Sequence, residues 1–417
     1  MMARFVYTLA VLALLPWAVL HLLWRARRQP EYLRHWRERF GLFPAVSPAP
    51  TLWLHAVSVG ETRAAQPLVA ALRARYPDHR ILFTHMTPTG RATSEALFGD
   101  SVERIYLPYD TPWAMRRFIC HYRPQFGFIM ETELWPNLIA ACRQAGLPLR
   151  LVNARLSERS ARRYARFPAL TREALLGLVA IGAQSADDAT RLEALGAQQV
   201  SVTGNIKFDI EAPPQQLELG RELRARWAGR PVWLAASTRE GEEALILNAW
   251  QQAGTGKALL VLVPRHPQRF DEVAQLARER GLTVQRRSDN AAVAQSTQVL
   301  IGDSMGEMFA FYAAADLAFI GGSLLDFGCQ NLIEAAACGT PMLVGPSTRN
   351  FAEAAREAIA CGAAIPISDA TDLVSQVNAL LADAASRQRM AMAGRAFAER
   401  HRGATARTLA LISPAAR

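Results

Sequence analysis

The chain has 417 residues, of which half are hydrophobic and a fifth are charged. At about 100–200 residues per domain, this length predicts two domains, and the composition excludes a disordered, collagen-like or coiled-coil protein. The formal net charge of +10 favours anionic partners. The five cysteines are widely spaced and form no C-x-x-C pair, which argues against a disulfide scaffold or a structural zinc site.

An apolar segment from Phe5 to Trp24 opens the chain and contains no acidic residue, lysine or arginine. As a helix it would span about 30 Å, the thickness of the hydrocarbon layer of a membrane. No small-residue cleavage site follows it, so we expect residues 1–24 to be an uncleaved membrane anchor rather than a signal peptide. A re-entrant or interfacial helix is the alternative.

The segment after the anchor is basic. Residues 25–39 hold six arginines against two glutamates, and the positive-inside rule then places the rest of the chain in the cytoplasm, at the inner membrane. Residues 31–43 interleave this charge with aromatic residues, a pattern typical of an interfacial helix on anionic membrane lipid. A solvated helix is the alternative. We expect residues 25–50 to form this helix and a proline-rich linker at 44–50.

Short apolar runs alternate with helix-periodic stretches through the remainder of the chain, which predicts parallel sheets covered by helices on both faces. The prolines within 211–216 interrupt the series and divide it into two α/β domains, 51–210 and 211–417, each a doubly wound, Rossmann-like fold. We expect the two sheets to face each other and the ligand to bind between them, at the carboxyl ends of the strands. The predicted strands are 52–57, 81–85, 104–108, 126–130, 149–153, 177–183, 199–204, 232–237, 258–264, 298–302, 317–322 and 341–346.

Common cofactor and catalytic motifs are missing from the sequence. It contains no G-x-x-x-x-G-K-[ST] loop, no H-E-x-x-H and no G-x-S-x-G, and no G-x-G-x-x-G follows the first strand of either domain. The charge is concentrated beside the anchor without a recognisable aromatic and basic module, so we expect no nucleic-acid partner. The candidates that remain are polar residues that directly follow predicted strands.

Three such groups lie in the first domain. Glu61, in HAVSVGE, fits a helix capping box with Ser58, and it also fits a general base at a strand end. Glu131 and Glu133, in METELWPN, are two residues apart after an apolar strand, as in a pair on one face or in a solvated turn. Lys207, in GNIKFD, is one of only two lysines in the chain and would place a cation at the same edge.

The second domain carries further groups of this kind. Arg265 directly follows a strand and could pair with a phosphate. Ser237 and Glu240 have the spacing of another capping box. The glycines at 321, 322 and 328 would let the backbone approach a ligand, and a helix from about residue 330 would direct its free N–H groups at an anion. Glu334 could accept hydrogen bonds from sugar hydroxyls. Together these groups predict a nucleotide-sugar site.

The ordered motifs HAVSVGE, METELWPN, GNIKFD, STREGEE, PRHPQR, GDSMGEM, FGCQNLIEA and GPSTRNF make the chain similar to the Kdo (3-deoxy-D-manno-octulosonic acid) transferases. The resemblance runs over essentially the whole chain and implies a membrane-anchored glycosyltransferase of the two-domain GT-B architecture. It implies transfer of Kdo from CMP-Kdo to a lipid A precursor in lipopolysaccharide core assembly, with donor, acceptor and anionic inner-membrane lipid as partners.

The resemblance also implies roles for individual residues. Glu61 matches the general base of the family, and Glu131 and Lys207 match residues that support the transition state. Two positions depart from the pattern: Cys329 stands where we expect glycine, which matters only if the backbone there needs a positive φ, and Arg239 stands in place of histidine. The positions that match the CMP-binding segments are Pro264, Arg265, Gly306, Glu307, Met308, Asn331, Leu332, Ile333 and Glu334.

CMP leaves with a single phosphate and lacks the diphosphate that commonly recruits a metal, so we expect no metal and no cofactor. Attack on the side opposite the leaving group implies an inverting transfer. An arginine cluster at 155, 159, 162, 163, 166 and 172 would meet acceptor phosphates or anionic lipid, unless it is only a solvated helix face. Two other functions fit less well: a GT-B enzyme that uses a UDP-sugar, and a non-enzymatic nucleotide-sugar binder at the membrane.

Overall fold

The computed structural model describes residues 2–45, 49–227, 229–254 and 256–412, so residues 46–48 of the expected linker lie outside the described residues. The chain forms two compact units. The first contains the chain up to Asp209 together with the segment from Gly403 onward, and the second runs from Ile210 to Arg402. Each unit is built on one sheet of seven parallel strands.

The first sheet has the strand order β3-β2-β1-β4-β5-β6-β7, and every pairing in it is parallel. All five residues of β1, which lies beside the central strand β4, are buried, because helices cover both faces of a parallel sheet. Its strands are β1 (Thr51–His55), β2 (Arg80–His85), β3 (Glu103–Tyr106), β4 (Pro124–Met130), β5 (Leu149–Ala154), β6 (Ala180–Ala183) and β7 (Val200–Val202).

The first nine helices belong to the first unit. Several begin where the sequence supplies a proline in the first turn or a hydroxyl N-cap, as α4 does at Thr87, whose side chain accepts from the Gly90 N–H. These helices are α1 (Met2–Ala26), α2 (Val59–Ala64), α3 (Gln66–Arg75), α4 (Pro88–Phe98), α5 (Pro112–Tyr122), α6 (Pro136–Gln144), α7 (Glu158–Tyr164), α8 (Pro168–Leu175) and α9 (Ala186–Ala194).

The helix α1 confirms the expected apolar N-terminal helix. By length and composition it is sufficient to cross a membrane, and most of its surface is exposed.

The second sheet, in the second unit, is also entirely parallel, with the order β10-β11-β9-β8-β12-β13-β14. Its strands are β8 (Val232–Thr238), β9 (Leu259–Pro264), β10 (Val284–Arg286), β11 (Val299–Ile301), β12 (Leu317–Ile320), β13 (Met342–Val344) and β14 (Ala364–Pro366). Its helices are α10 (Pro214–Arg226), α11 (Glu242–Ala253), α12 (Phe270–Glu279), α13 (Met308–Ala314), α14 (Ile333–Cys338), α15 (Ala352–Ala360), α16 (Ala370–Ala382) and α17 (Ala384–His401).

All twelve predicted strands are present, and the two that the sequence analysis missed, β10 and β14, are the two edges of the second sheet. Each is three residues long, and no residue of β10 is fully buried. The polar residues of β10 interrupt any apolar run, and β14 is short and ends in a proline, which cannot donate to a further strand.

The interfacial helix expected within residues 31–43 is wrong. Two 3₁₀ turns, Pro30–Leu33 and Trp36–Phe40, replace it, and His35 between them has φ of 56°. The buried carboxylate of Glu38 causes this path, since it accepts from the Tyr106 N–H at 2.8 Å and pairs with Arg91 at 2.9 Å. These contacts bind the segment to the first unit instead of leaving it as a free helix.

The end of the chain also departs from expectation, because residues 211–417 do not all belong to one domain. The last helix, α18 (Ala404–Ala410), packs in the first unit. The Asp209 carboxylate accepts from the backbone N–H groups of Gly403 and Thr405, at 2.8 and 2.7 Å. Arg407 donates to the Thr203 carbonyl at 2.9 Å, so α18 closes over the end of the first sheet's last strand.

Replacing Asp209 with alanine should therefore destabilise the first unit. The change removes both acceptors at the N-terminus of α18, and the expected loss is about 1–2 kcal/mol of unfolding free energy. Chemical denaturation monitored by fluorescence measures it. Asp209→Asn keeps one acceptor oxygen and should lose less, and equal stability of all three proteins would contradict the role of Asp209.

Candidate active site

Glu61 lies in the first turn of α2, directly after β1, with 7% of its surface exposed. The capping interpretation is confirmed: the Ser58 hydroxyl accepts from the Glu61 N–H at 3.2 Å. The Glu61 carboxylate in turn accepts from the Val57 N–H and from the Ser58 hydroxyl, both at 2.8 Å. These contacts hold the carboxylate in one orientation at the carboxyl end of the strand.

The electrostatic setting of Glu61 also suits a base. Burial raises its pKa to about 7, against the lowering effect of the Val57 and Ser58 hydrogen bonds. The nearby carboxylates of Glu131 and Glu133 raise it further. A carboxyl with this pKa can accept a proton near neutral pH and release it again, so the capping geometry and the function of a base are compatible.

Glu131 and Lys207 form an ion pair at 2.9 Å between the ammonium nitrogen and Oε1, and both side chains are partly exposed. Glu131 directly follows β4 and has φ of 59°, a left-handed conformation that is strained for glutamate. Its backbone N–H still donates to the Val152 carbonyl of the neighbouring strand. The first unit therefore brings together Glu61, Glu131 and Lys207 after strands of one sheet edge.

The turn that carries Lys207 is held by amide side chains that the sequence analysis did not single out. Asn153 is fully buried at the end of β5 with φ of 53°, and its Oδ1 accepts from the Ile206 N–H at 3.0 Å. Asn205 Oδ1 accepts from the Lys207 N–H, and Asn205 also donates to Gln184 at 3.0 Å. The position of Asn153 after an apolar run was the only signal for it in the sequence.

In the second unit, Pro264 ends β9 and Arg265 follows it, with its N–H donating to the Thr238 carbonyl of the adjacent strand. Burial raises the pKa of Glu334, and the positive charge of Arg265 lowers it, so the two groups lie near each other. Asn331 donates to the Glu334 carboxylate at 3.1 Å. Arg265, Asn331 and Glu334 are thus gathered at one edge of the second sheet.

Gly306, Glu307 and Met308 follow β11, which pairs directly with β9, so this motif reaches the same edge as Pro264. Gly306 is exposed with φ of 79°, and Met308 begins α13. Glu307 forms an ion pair with Arg287 at 3.2 Å. The carboxylate of Glu307 is therefore already engaged with a neighbouring cation.

The helix expected from about residue 330 begins instead at Ile333. The Asn331 side chain accepts from the Ile333 N–H at 3.0 Å, which occupies one of the N–H groups expected to face an anion. The side chains of Leu332 and Ile333 are fully buried. These two residues can therefore meet a ligand only through their backbone.

Glu242 is a residue of the second unit that the sequence analysis passed over. It is fully buried, and its carboxylate accepts from the N–H groups of Arg239, Gly322 and Leu324 at 2.7–2.9 Å. The expected Ser237–Glu240 capping box is wrong, because Ser237 has φ of 53° and α11 begins only at Glu242.

The loop that Glu242 binds is the glycine loop, residues 321–330. A Cβ added at Gly321 would lie 2.6 Å from the backbone carbonyl oxygens of Ala236 and Ser237, so only glycine fits there. Backbone bonds from Cys329 to Gly322 and from Gln330 to Gly321 close the loop on itself. Glu242 thus connects the STREGEE motif to the glycine loop.

Cys329 does need a positive φ, which is 67°, and its side chain is buried. Its thiol lies 3.2 Å from the Gln330 carbonyl, and burial raises the pKa of the thiol to about 12. The departure from glycine at this position therefore places a strained residue in the glycine loop. Arg239, the other departure, stacks over the Phe327 ring at 4.7 Å and so lies against the same loop.

Comparison with known proteins agrees with this arrangement. Residues 34–210 match the family model of 3-deoxy-D-manno-octulosonic-acid transferase (kdotransferase), and residues 279–397 match that of glycosyl transferases group 1. A 3-deoxy-D-manno-octulosonic acid transferase of Bordetella pertussis is 47% identical over 98% of each chain. The chain belongs to the Kdo transferase family. It is accordingly a glycosyltransferase, and a Kdo transferase of Haemophilus influenzae is 38% identical over 99% of each chain.

The fold is the GT-B type that the sequence predicted for a Kdo transferase, with two parallel-sheet α/β domains. The solved UDP-GlcNAc 2-epimerase of Neisseria meningitidis has a TM-score of 0.55 at 14% identity, covering 87% of this chain and 99% of the epimerase chain. Among the described residues, no group of three or more His, Cys, Asp or Glu side chains is placed to hold a metal ion.

The contacts of Glu242 predict a large effect of a small change. In Glu242→Gln an amide NH₂ replaces one acceptor oxygen and faces a backbone N–H, which should lower the unfolding free energy by about 2 kcal/mol. Thermal unfolding measures the difference in stability between the variant and the wild type. The exposed Glu240→Gln is the matched control and should behave as the wild type. If the two variants are equally stable, Glu242 does not hold the loop.

At position 329 a glycine variant should be more stable than an alanine variant, which is the reverse of the usual order. Alanine retains the strain of the left-handed conformation, whereas glycine adopts it freely, so Cys329→Gly should be more stable than Cys329→Ala by about 1 kcal/mol. Denaturant midpoints of the two variants test this expectation. A more stable alanine variant would show that φ at this position is not held positive.

Proposed function

We propose that this glycosyltransferase moves Kdo from CMP-Kdo to a lipid A precursor, lipid IVA, with inversion at the anomeric carbon. The reaction would take place at the cytoplasmic face of the inner membrane, in lipopolysaccharide core biosynthesis. The observation that supports it most directly is Glu61, a buried, doubly hydrogen-bonded carboxyl with a pKa of about 7 in the motif that matches the base of the family.

In this reaction the Glu61 carboxylate removes the proton from a sugar hydroxyl of the acceptor. The hydroxyl oxygen then bonds to the anomeric carbon of Kdo while the bond from that carbon to the CMP phosphate oxygen breaks. The proton remains on Glu61 and the electron pair leaves with CMP. Attack on the side opposite the leaving group inverts the configuration.

Glu131 and Lys207 supply opposite charges to the same step. The Lys207 ammonium can pair with the carboxylate of the Kdo ring, while Glu131 stabilises the positive charge that develops on the ring. Their mutual ion pair at 2.9 Å keeps both side chains in place before the donor binds. The turn held by Asn153 then orients Lys207 through its backbone.

The donor-side residues are those gathered in the second unit. The cation of Arg265 suits the single phosphate of CMP, and Glu334, fixed by Asn331, can accept from ribose hydroxyls. Pro264, Gly306 and the backbone of Leu332 and Ile333 would shape the rest of the site, with Glu307 and Met308 beside them. No metal or cofactor enters this scheme, because a monophosphate leaving group carries less charge to neutralise.

Anionic membrane lipid is the proposed third partner. The α1 helix is apolar and largely exposed, and all six arginines of the cluster at 155–172 are exposed. Phe167 lies among these arginines with 66% of its surface exposed. An apolar helix beside exposed arginines and an aromatic side chain is suited to a membrane with anionic headgroups, where the acceptor resides.

The pH dependence of transfer should follow the ionisation of Glu61. The base is active when deprotonated, so with a pKa of about 7 the rate rises tenfold per pH unit below pH 7 and levels off above it. Glu61→Gln should lose about 100-fold or more in kcat on the plateau above pH 7, and its remaining rate should no longer fall as the pH drops below 7. The exposed Glu95→Gln, also in the first unit, is the control and should keep the wild-type profile.

A transfer assay tests donor, acceptor and metal independence together. Detergent-purified protein receives CMP-Kdo and tetra-acylated lipid A precursor with EDTA present, and mass spectrometry should find a product heavier by one or more Kdo units. CMP should also protect the protein against thermal unfolding, whereas UDP should not. Protection by UDP alone would favour a UDP-sugar donor, and CMP binding without product would point to another acceptor.

A further inference from the structure

The first helix makes polar contacts with the body of the first unit near its N-terminal end. The Tyr7 hydroxyl donates to the Asp110 carboxylate at 2.9 Å, and Thr8 donates to the Asn137 side chain at 3.0 Å. Arg4 lies 3.5 Å from the carboxylate of Glu173. The Asp110 carboxylate is held in place by the fold, since it is 3% exposed and also accepts from the first N–H groups of α6.

The C-terminal end of the same helix contacts the 3₁₀ segment that follows it, and that segment is bound to the first unit. Arg25 donates to the Tyr32 hydroxyl at 3.0 Å, in the first of the two 3₁₀ turns. The second turn is bound to the body through the buried Glu38 and through the Arg39 carbonyl, which accepts from the Tyr109 N–H at 2.9 Å. Tyr109 and Asp110 are neighbours, so the segment that follows α1 and the N-terminal part of α1 both contact this loop.

A helix that crosses a membrane has its ends on opposite sides of about 30 Å of hydrocarbon. The 25 residues of α1 form a rod of about 37 Å, long enough to do so. However, Tyr7 and Arg25 would then lie on different sides while their partners belong to one folded, polar unit. That unit cannot enter the hydrocarbon layer, because its surface charges would lose their hydration.

The exposure of the side chains follows the same geometry. The less exposed residues of α1 are at 3, 4, 7, 8, 11, 15, 18, 19, 21, 22 and 26, and all of them except 3 and 21 form one stripe at helical spacing. The opposite face presents large apolar side chains, among them Phe5, Trp17 and Leu20, each more than 60% exposed. The N-terminal part of this stripe, at Arg4, Tyr7 and Thr8, contacts the unit, and the opposite side of α1 is an uncovered apolar surface.

We propose that α1 lies in the plane of the membrane leaflet, seated along the first unit, rather than across the bilayer. The apolar face of α1 contacts the acyl-chain region of this leaflet. Its headgroups are anionic, because exposed arginines at 25, 27 and 28 flank the apolar face. The exposed arginine cluster at 155–172 runs through α7 and ends at Arg172 in α8, and the next residue, Glu173, contacts Arg4, so the cluster adjoins the helix. This inference rests on the proposed membrane attachment and deepens it.

Cysteine labelling distinguishes the two orientations. Met2→Cys is made in a Cys120→Ser background, and intact spheroplasts of a Gram-negative host are treated with a membrane-impermeant maleimide. An in-plane helix leaves residue 2 on the cytoplasmic side, so it should be labelled only after permeabilisation. The wild-type exposed Cys120 is the cytoplasmic control. Labelling of residue 2 in intact spheroplasts would overturn the proposal while leaving membrane attachment standing.

A disulfide crosslink tests directly whether α1 lies against the first unit. In isolated membranes treated with an oxidant, Thr8→Cys with Asn137→Cys should form a disulfide that changes mobility on a non-reducing gel. Leu9→Cys with Asn137→Cys is the matched control, because Leu9 is on the exposed face, and it should crosslink at least ten times less. Equal yields from both pairs would overturn the proposed seat.

Purified protein should also float with vesicles of phosphatidylethanolamine and phosphatidylglycerol. Failure to float would overturn membrane attachment and the in-plane helix together. That outcome is distinguishable from external labelling of residue 2, which contradicts the in-plane helix alone, and neither result depends on transferase activity.

Discussion

Buried or half-buried carboxylates that accept hydrogen bonds from backbone N–H groups hold the loops of both units. Loops after parallel strands leave such N–H groups unpaired, and a buried acceptor is needed to avoid their desolvation penalty. Asp110 binds the start of α6, Asp209 binds the start of α18, and Glu242 binds the glycine loop. Glu61 shares this arrangement with them, and its proposed chemistry depends on a carboxylate that the fold already holds in place.

Four of the eight described non-glycine residues with positive φ lie close to the proposed site residues or in the glycine loop. Glu131, Asn153, Ser237 and Cys329 all have positive φ, and each lies at or after the carboxyl end of a strand. Such conformations are unfavourable for residues other than glycine and persist only where surrounding contacts enforce them. They coincide with the residues that the proposed reaction uses, or with the loops that position those residues.

Central strands and helix starts could be predicted from the sequence because they follow from local patterns. The runs that became β1 and β8 are wholly buried, and α6 begins at Pro136, a residue that suits the first turn of a helix. Contacts distant in sequence decided the rest. Glu38 bends its segment toward Tyr106, 68 residues away, and Glu242 meets Gly322, 80 residues away. No local pattern contains such partners, so the 3₁₀ turns and the role of Glu242 escaped prediction.

The return of the last helix to the first unit affects how the protein is made. The first unit has nearly all of its residues once Asp209 leaves the ribosome, but α18 follows only after the whole second unit has been synthesised. At typical elongation rates this interval is roughly 10–40 s. During that time the end of β7 and the Asp209 carboxylate lack their contacts with α18, while the apolar α1 has already been synthesised. The proposed membrane attachment through α1 would therefore be available before the first unit is complete.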